Sequence, residues 1–226
     1  MSEIDHADIY RGVRLRITEL LSGLPDEQLD RFAPATPEWR VRDVVAHLAG
    51  ATADIVALNL EGVATDEWTQ AQVDARRTTP LVEVLDEWSR CSEIVEPMIS
   101  SIEPLMQTML LADAVTHEHD IRGALGLPGA RDTDAIAFTF QGLSGAIGAQ
   151  RGDHGALRIA HEHGDTVVGS GEPTAQLHTT RFEVVRAGVG RRSLDQIAAW
   201  DWEGDAQPET MVLARFAPPR ADPLNE

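Results

Sequence analysis

Cysteine is almost absent from the 226 residues: Cys91 stands alone, so the chain can close no internal disulfide. Cys91 falls in a helical pattern with Trp88 and Val95 and reads as a buried, inert thiol, because burial without a cationic neighbour does not activate sulfur. No uninterrupted apolar run of about 18 residues occurs, which argues against a membrane-spanning helix. Met1 to Tyr10 lacks the basic and apolar regions of a signal peptide, and the expectation is a cytoplasmic protein. Basic side chains are also scarce, with 19 Lys and Arg against 37 Asp and Glu and a formal net charge of −18. That field repels phosphate backbones and anionic lipid surfaces, so nucleic acid and membrane are poor partners and small molecules are expected instead. There is no internal repeat.

What is present is ordinary globular material: 42% hydrophobic and 25% charged residues, enough to fold without a partner. The length suits one large domain or two modest ones, and a monomer or a homodimer are both compatible with it. Ile9, Val13, Ile17, Leu20 and Leu21 recur at helical spacing until Gly23 and Pro25, predicting a first helix. Thr36-Pro37 is a capping residue followed by a proline suited to the first helical position. A second helix is predicted from there through Val41, Val44, Val45 and Leu48 to about Leu60. Gly62 to Thr78 reads as a polar connection. Thr79-Pro80 repeats the start signal for a third helix carrying Leu81, Val84, Leu85, Trp88, Val95 and Ile99. Pro104 opens a fourth, through Met106, Leu110, His117, Ile121 and Leu125, which Gly126 and Pro128 end. Asp134 to Gln150 is helix-like but interrupted by glycine.

Four long amphipathic helices with one long connection suggest a bundle with inward-pointing sites. After Gly155 the period changes. Leu157 to His163, Thr166 to Val168 and Ala175 to His178 read as short strands, with turns at Gly164-Asp165 and Gly169 to Pro173. Phe182 to Ala187 looks helical, Ser193 with Gln196 fits a capping box, and Pro218 to Glu226 reads as a loose tail. The fold class is therefore mainly α with an α+β carboxyl-terminal part. The boundary falls near Gly152 to Gly155, giving a helical bundle over 1–152 and a small α+β domain over 153–226.

At about 100° per residue, Asp113, His117 and Asp120 project within about 60° of one another, in the stripe of Met106, Leu110, Ile121 and Ala124. Ionisable groups in a core-facing seam need hydrogen bonds, mutual pairing or a metal. His119 projects to the other side and is expected in solvent. On the second helix His47 lies one turn after Asp43 at the edge of the apolar stripe, where it can reach a neighbouring helix as a third ligand. Histidine nitrogens with a carboxylate suit borderline divalent metals such as zinc, and three protein ligands leave a position open for water or a thiol. The spacing alone leaves a metal and a metal-free charge-assisted pair both open. His6, His154, His161, His163 and His178 show no ligand spacing on an apolar face.

The run Thr36-Pro37-Glu38-Trp39-Arg40-Val41-Arg42-Asp43-Val44-Val45-Ala46-His47-Leu48-Ala49 closely resembles the segment carrying the first metal-binding histidine in the mycothiol-dependent maleylpyruvate isomerase family. Asp113 to Gly126, with His117, Asp120-Ile121-Arg122 and Ala124-Leu125-Gly126, resembles that family's second metal-binding helix. Phe182 to Arg186, Gly190 to Ser193 and Trp200 to Trp202 resemble its carboxyl-terminal segment, so the likeness runs over nearly the whole chain.

The resemblance implies a DinB-like four-helix bundle in which His47, Asp113 and His117 bind a divalent metal, zinc by preference, with mycothiol as thiol cosubstrate. Asp113 departs from the isomerase, which has the longer glutamate there, and from other relatives, which have histidine. Asp120 would orient a ligand or assist as a base, and Arg122 or Arg191 and Arg192 would hold substrate carboxylates. The reaction implied is thiol transfer or thiol-assisted isomerisation of a small electrophile. A metal-activated water that hydrolyses an ester or amide, with Asp120 or Asp43 as base, and a non-catalytic small-molecule binder are the alternatives.

Overall fold

The computed structural model describes residues 5–226, and the part of the amino-terminal reading that rests on residues 1–4 lies outside them. The chain divides into two units, one ending at Pro128 and one running from Gly129 to Glu226. In the first, α1 (His6–Leu21) begins at the Asp5 cap, whose side chain accepts from Ala7 N. It buries Ile9, Val13, Ile17 and Leu21 of the expected stripe together with Tyr10, while Leu20 is only half-buried. A short α2 (Asp26–Leu29) leads to a two-stranded hairpin, β1 (Phe32–Ala33) and β2 (Thr36–Arg40), and then to α3 (Val41–Ala57). Thr36-Pro37 therefore does not open the helix. The extended residues pair with Phe32–Ala33, and α3 starts one turn later, where the Asp43 carboxylate accepts from Arg40 N at 2.9 Å.

The polar connection holds a helix that apolar periodicity does not show, α4 (Asp66–Arg76), in which Gln72 and Val73 are buried. Its start is a local signal: Thr65 accepts from Trp68 N, and Asp66 and Glu67 occupy the first turn, where acidic residues favour the helix dipole. Next come α5 (Leu81–Val95), a 3₁₀ turn (Glu96–Ser101) and α6 (Pro104–Leu125). α1, α3, α5 and α6 form the helical bundle, with α4 lying on α3. Val13, Ile17, Val44, Val45, Trp88 and Leu111 are wholly buried, each large aliphatic contributing about 1.5–3 kcal/mol of transfer free energy. Cys91, expected inside, is half-buried beside the fully buried Trp88. Burial, then Glu87, pushes its thiol up, so it is no poised nucleophile.

The middle of α6 is enclosed on every side, from Ala114 through Ile121, by α1, α3 and β1 among its neighbours. That corrects His119: a helix with one solvated face would expose it, but it is 2% exposed here.

In the second unit α7 (Asp134–Gln150) packs on α8 (Arg181–Gly188) and on β4 (Gly164–Val168). The structural division thus falls at 128/129, before α7, whereas the sequence reading set it at 152/153, after it. The sheet orders β4, β3 (Ala156–His161), β5 (Pro173–His178) and β6 (Asp201–Gly204), with β3 and β5 parallel and the outer pairs antiparallel. The three expected strands form, and β6 adds a fourth. Ser193 and Gln196 make the expected capping box at α9 (Leu194–Ala198). The end of the chain is not loose. The Glu226 carboxylate accepts from Arg186 at 2.9 Å and Arg192 at 2.7 Å, and Leu224 is buried. Among the described residues no helix is long and apolar enough to cross a membrane. The result is a mainly helical protein with a small α+β carboxyl-terminal part.

Candidate metal centre

The sequence places His47 on α3 and Asp113 and His117 one turn apart on α6, and the structure brings all three together. Their ligand atoms lie within 4.8 Å of one another. His47 Nε2 is 3.3 Å from Asp113 Oδ1, and His117 Nε2 is 3.5 Å from the same oxygen. The two imidazoles meet edge to face, centroids 5.0 Å apart. Both histidines are buried, whereas the Asp113 side chain keeps 36% of its exposure, leaving the cluster one side open to solvent. The shorter aspartate arm thus reaches both rings.

Each ring is held from behind. His117 Nδ1 donates to Asp120 Oδ2 at 3.0 Å, a carboxylate with no exposed side-chain surface. His47 Nδ1 lies 2.8 Å from Gln72 Oε1. Trp39, at the end of β2, sits over both rings, with centroids 5.3 Å from His47 and 6.0 Å from His117. Its indole N–H donates to Gln70 on α4 at 3.3 Å.

Electrostatics follow from this crowding. Desolvation pushes the Asp113 carboxyl up, but the two imidazoles together outweigh it and hold the group well below the usual carboxylate range. Desolvation also favours the neutral His117 ring; the Asp113 charge and the hydrogen bonds to Asp113 and Asp120 outweigh it and lift the ring to about 9. The cluster wants a positive charge at its centre, and a proton on His117 or a metal cation can supply it. The donor set fits a metal on geometry. Tetrahedral bonds of about 2.0–2.1 Å separate neighbouring donors by about 3.3–3.4 Å, close to the 3.3 and 3.5 Å found. The engaged Nδ1 atoms are the outer support such ligands have elsewhere.

Arg122, expected to hold a substrate carboxylate, is not brought to the cluster. Its guanidinium donates to Glu118 at 3.0 and 3.1 Å, and Glu118 also takes Arg16 at 2.7 and 2.9 Å, a clamp between α1 and α6. Arg192 is likewise engaged, by Glu183 and Glu226, and Arg191 donates to Val189 O. Asp43 serves the α3 cap. Sequence reasoning missed Gln72, because it lies on the helix hidden in the polar connection, and gave Trp39 no role.

Comparison with known proteins agrees with this architecture. The profile of the family described as "Mycothiol maleylpyruvate isomerase N-terminal domain" matches residues 10–122, half of the chain. Among solved structures, a histidine-to-alanine variant of the mycothiol-dependent maleylpyruvate isomerase superimposes with a TM-score of 0.57 at 13% identity, covering 90% of this chain and 94% of that one. A second structure of a mycothiol-dependent maleylpyruvate isomerase gives 0.54 at 12% identity, covering 82% and 88%. At such identities the likeness is one of fold. No curated protein matches by sequence.

Proposed function

The chain belongs to the mycothiol maleylpyruvate isomerase family, and from that premise we propose that it is a metal- and thiol-dependent enzyme acting on a small electrophile. His47, Asp113 and His117 would hold a divalent ion, zinc by donor type, and mycothiol would be the cosubstrate. The reaction would be transfer of the thiol or thiol-assisted cis–trans isomerisation, in the cytoplasm, where thiols are kept reduced. The observation that carries the reading is the convergence of two Nε2 atoms on one Asp113 oxygen, with His117 supported from behind and one side open. A bound ion with a vacant position would lower the pKa of a thiol and hold it as thiolate near neutral pH.

The chain's own residues supply the rest. Asp120 keeps the His117 proton on Nδ1, so that Nε2 faces the cluster. Trp39 covers the two imidazoles and keeps water from that side, which strengthens electrostatic interactions within the cluster. The exposed flank of Asp113 is the approach for thiol and electrophile. Cys91 is not needed. Hydrolysis by an activated water has less support, because both carboxylates available as its base have other work: Asp120 lies behind His117 and Asp43 caps α3.

The test is turnover of a panel of small electrophiles with zinc and mycothiol added. Conversion that requires both, and is lost in His47→Ala, supports the proposal; conversion unchanged by His47→Ala refutes it.

A further inference from the structure

Behind His47 lies a chain of groups whose hydrogen-bonding roles fix the orientation of one amide. Gln72 Oε1 is 2.8 Å from His47 Nδ1, and Gln72 Nε2 is 2.8 Å from Asp54 Oδ2. A carboxylate and an amide oxygen only accept, while an amide nitrogen only donates. Asp54 therefore decides which end of the amide faces it, since the reversed amide would set two oxygens against each other. Asp54 is itself held, accepting from Asn59 Nδ2 on its other oxygen at 2.9 Å. The amide carbonyl is thus turned on His47, where it accepts from Nδ1 when that nitrogen carries the hydrogen. A neutral imidazole has one N–H, and two acceptors compete for it: Gln72 Oε1 at 2.8 Å from Nδ1 and Asp113 Oδ1 at 3.3 Å from Nε2. The shorter, buried contact to Gln72 favours Nδ1–H and leaves the Nε2 lone pair for a cation lying between His47 and Asp113.

The contact is built into the helix packing. A Cβ on Gly50 would come within 2.5 Å of Gln72 Cβ and 2.8 Å of Arg76 Nη1, far closer than van der Waals contact. α4 can therefore lie this close to α3 only because residue 50 is glycine. Arg76 ties the same turn, donating to Gln72 O at 3.1 Å and to Glu87 on α5 at 2.7 Å. Gln72 is 3% exposed, so water does not compete freely for its amide.

We propose that Gln72, aligned by Asp54, is a positioning residue that fixes His47 in the Nδ1–H tautomer and keeps Nε2 open to an electron-pair acceptor. Its consequence for catalysis rests on the metal reading above; the tautomer does not. The experiment is imidazole proton–nitrogen correlation NMR on the metal-free, ¹⁵N-labelled full chain, at a pH where His47 is neutral, with its signals assigned by their loss in His47→Ala. The wild type should show a protonated Nδ1 and a bare Nε2. Gln72→Met should move the hydrogen toward Nε2 and weaken zinc binding about 10–100-fold in competition with a chromophoric chelator. Gln72→Glu combined with Asp54→Asn, which restores an acceptor toward His47 and keeps a donor–acceptor pair between residues 54 and 72, should return the Nδ1–H form and most of the affinity.

A wild type with Nε2–H overturns the inference even if the variants do not fold, as does a Gln72→Met protein with an unchanged tautomer. Nδ1–H without zinc binding would sink the metal reading alone. Zinc-dependent turnover with Nε2–H in the metal-free chain would sink the tautomer assignment alone.

Discussion

In the first unit His47, Asp113 and His117 bring ligand atoms within 4.8 Å of one another inside a helix bundle, and in the second Asp132, Glu162 and His163 do so at the surface. The residue types are alike, but the surroundings are not. Asp132 accepts from His163 at 2.8 Å and from Arg181 at 2.8 Å, and Arg181 Nε also lies 3.5 Å from Glu162. A guanidinium already answers the carboxylates, and water screens what is left. In the first cluster the carboxylate is answered by two imidazoles, each braced on its far nitrogen by a buried acceptor. Proximity of histidine and acid is common; a candidate site is distinguished by burial, by support behind the ligands and by a central positive charge that either a proton on His117 or a cation can supply.

Three measurements sharpen that contrast. The largest effect is expected from Asp120→Asn, which leaves the size of the side chain but weakens the acceptor behind His117. Zinc affinity should fall about 10–100-fold, read by chelator competition, and an unchanged affinity would show that the support behind the ring is incidental.

A smaller effect is expected from pH on the metal-free protein. The His117 ring is raised from 6.5 to about 9, so its contribution to stability is fully present below about 6.5 and is lost as the pH rises through about 9. The melting temperature of the metal-free chain should fall across that window, while zinc, which displaces the same proton, should bind more tightly. A melting temperature that is flat or rising there contradicts the pairing of His117 with Asp113. The surface cluster has the opposite sign. Asp132 is held below the ordinary carboxylate range, chiefly by the His163 hydrogen bond, so its contribution is present above the unfolded value of 3.8 and lost on acidification below it. The smallest effect is expected from Asp132→Ala, which should leave zinc stoichiometry unchanged and lower the neutral-pH melting temperature only slightly, as exposed ion pairs contribute little. Loss of bound zinc in that variant would mean that the second cluster, not the first, holds the ion.

The legible part of the site was the part written on one helix. Asp113, His117 and Asp120 stand at positions i, i+4 and i+7, so their common face follows from helix geometry alone, and His47 follows from its place beside an apolar stripe. Arg122 is taken up by Glu118, four residues before it, in an ordinary helical ion pair that leaves it no substrate carboxylate to hold. Gln72 stayed hidden because α4 rests on α3 through little more than Gln72 and Val73, too few buried positions to make a period. Only the Thr65 cap announced it. The tail at 218–226 looked loose by composition, yet Glu226 meets Arg186 and Arg192, partners more than thirty residues away that no local pattern reveals. The same reach explains the boundary: the sequence divides where the period changes, whereas the structure divides where packing changes, before α7.

If His47, Asp113 and His117 together hold one divalent cation, elemental analysis of the chain after dialysis against zinc will find one zinc per chain in the wild type and none retained by Asp113→Ala or His117→Ala. A wild type that retains no zinc, or variants that retain it in full, would contradict that assignment.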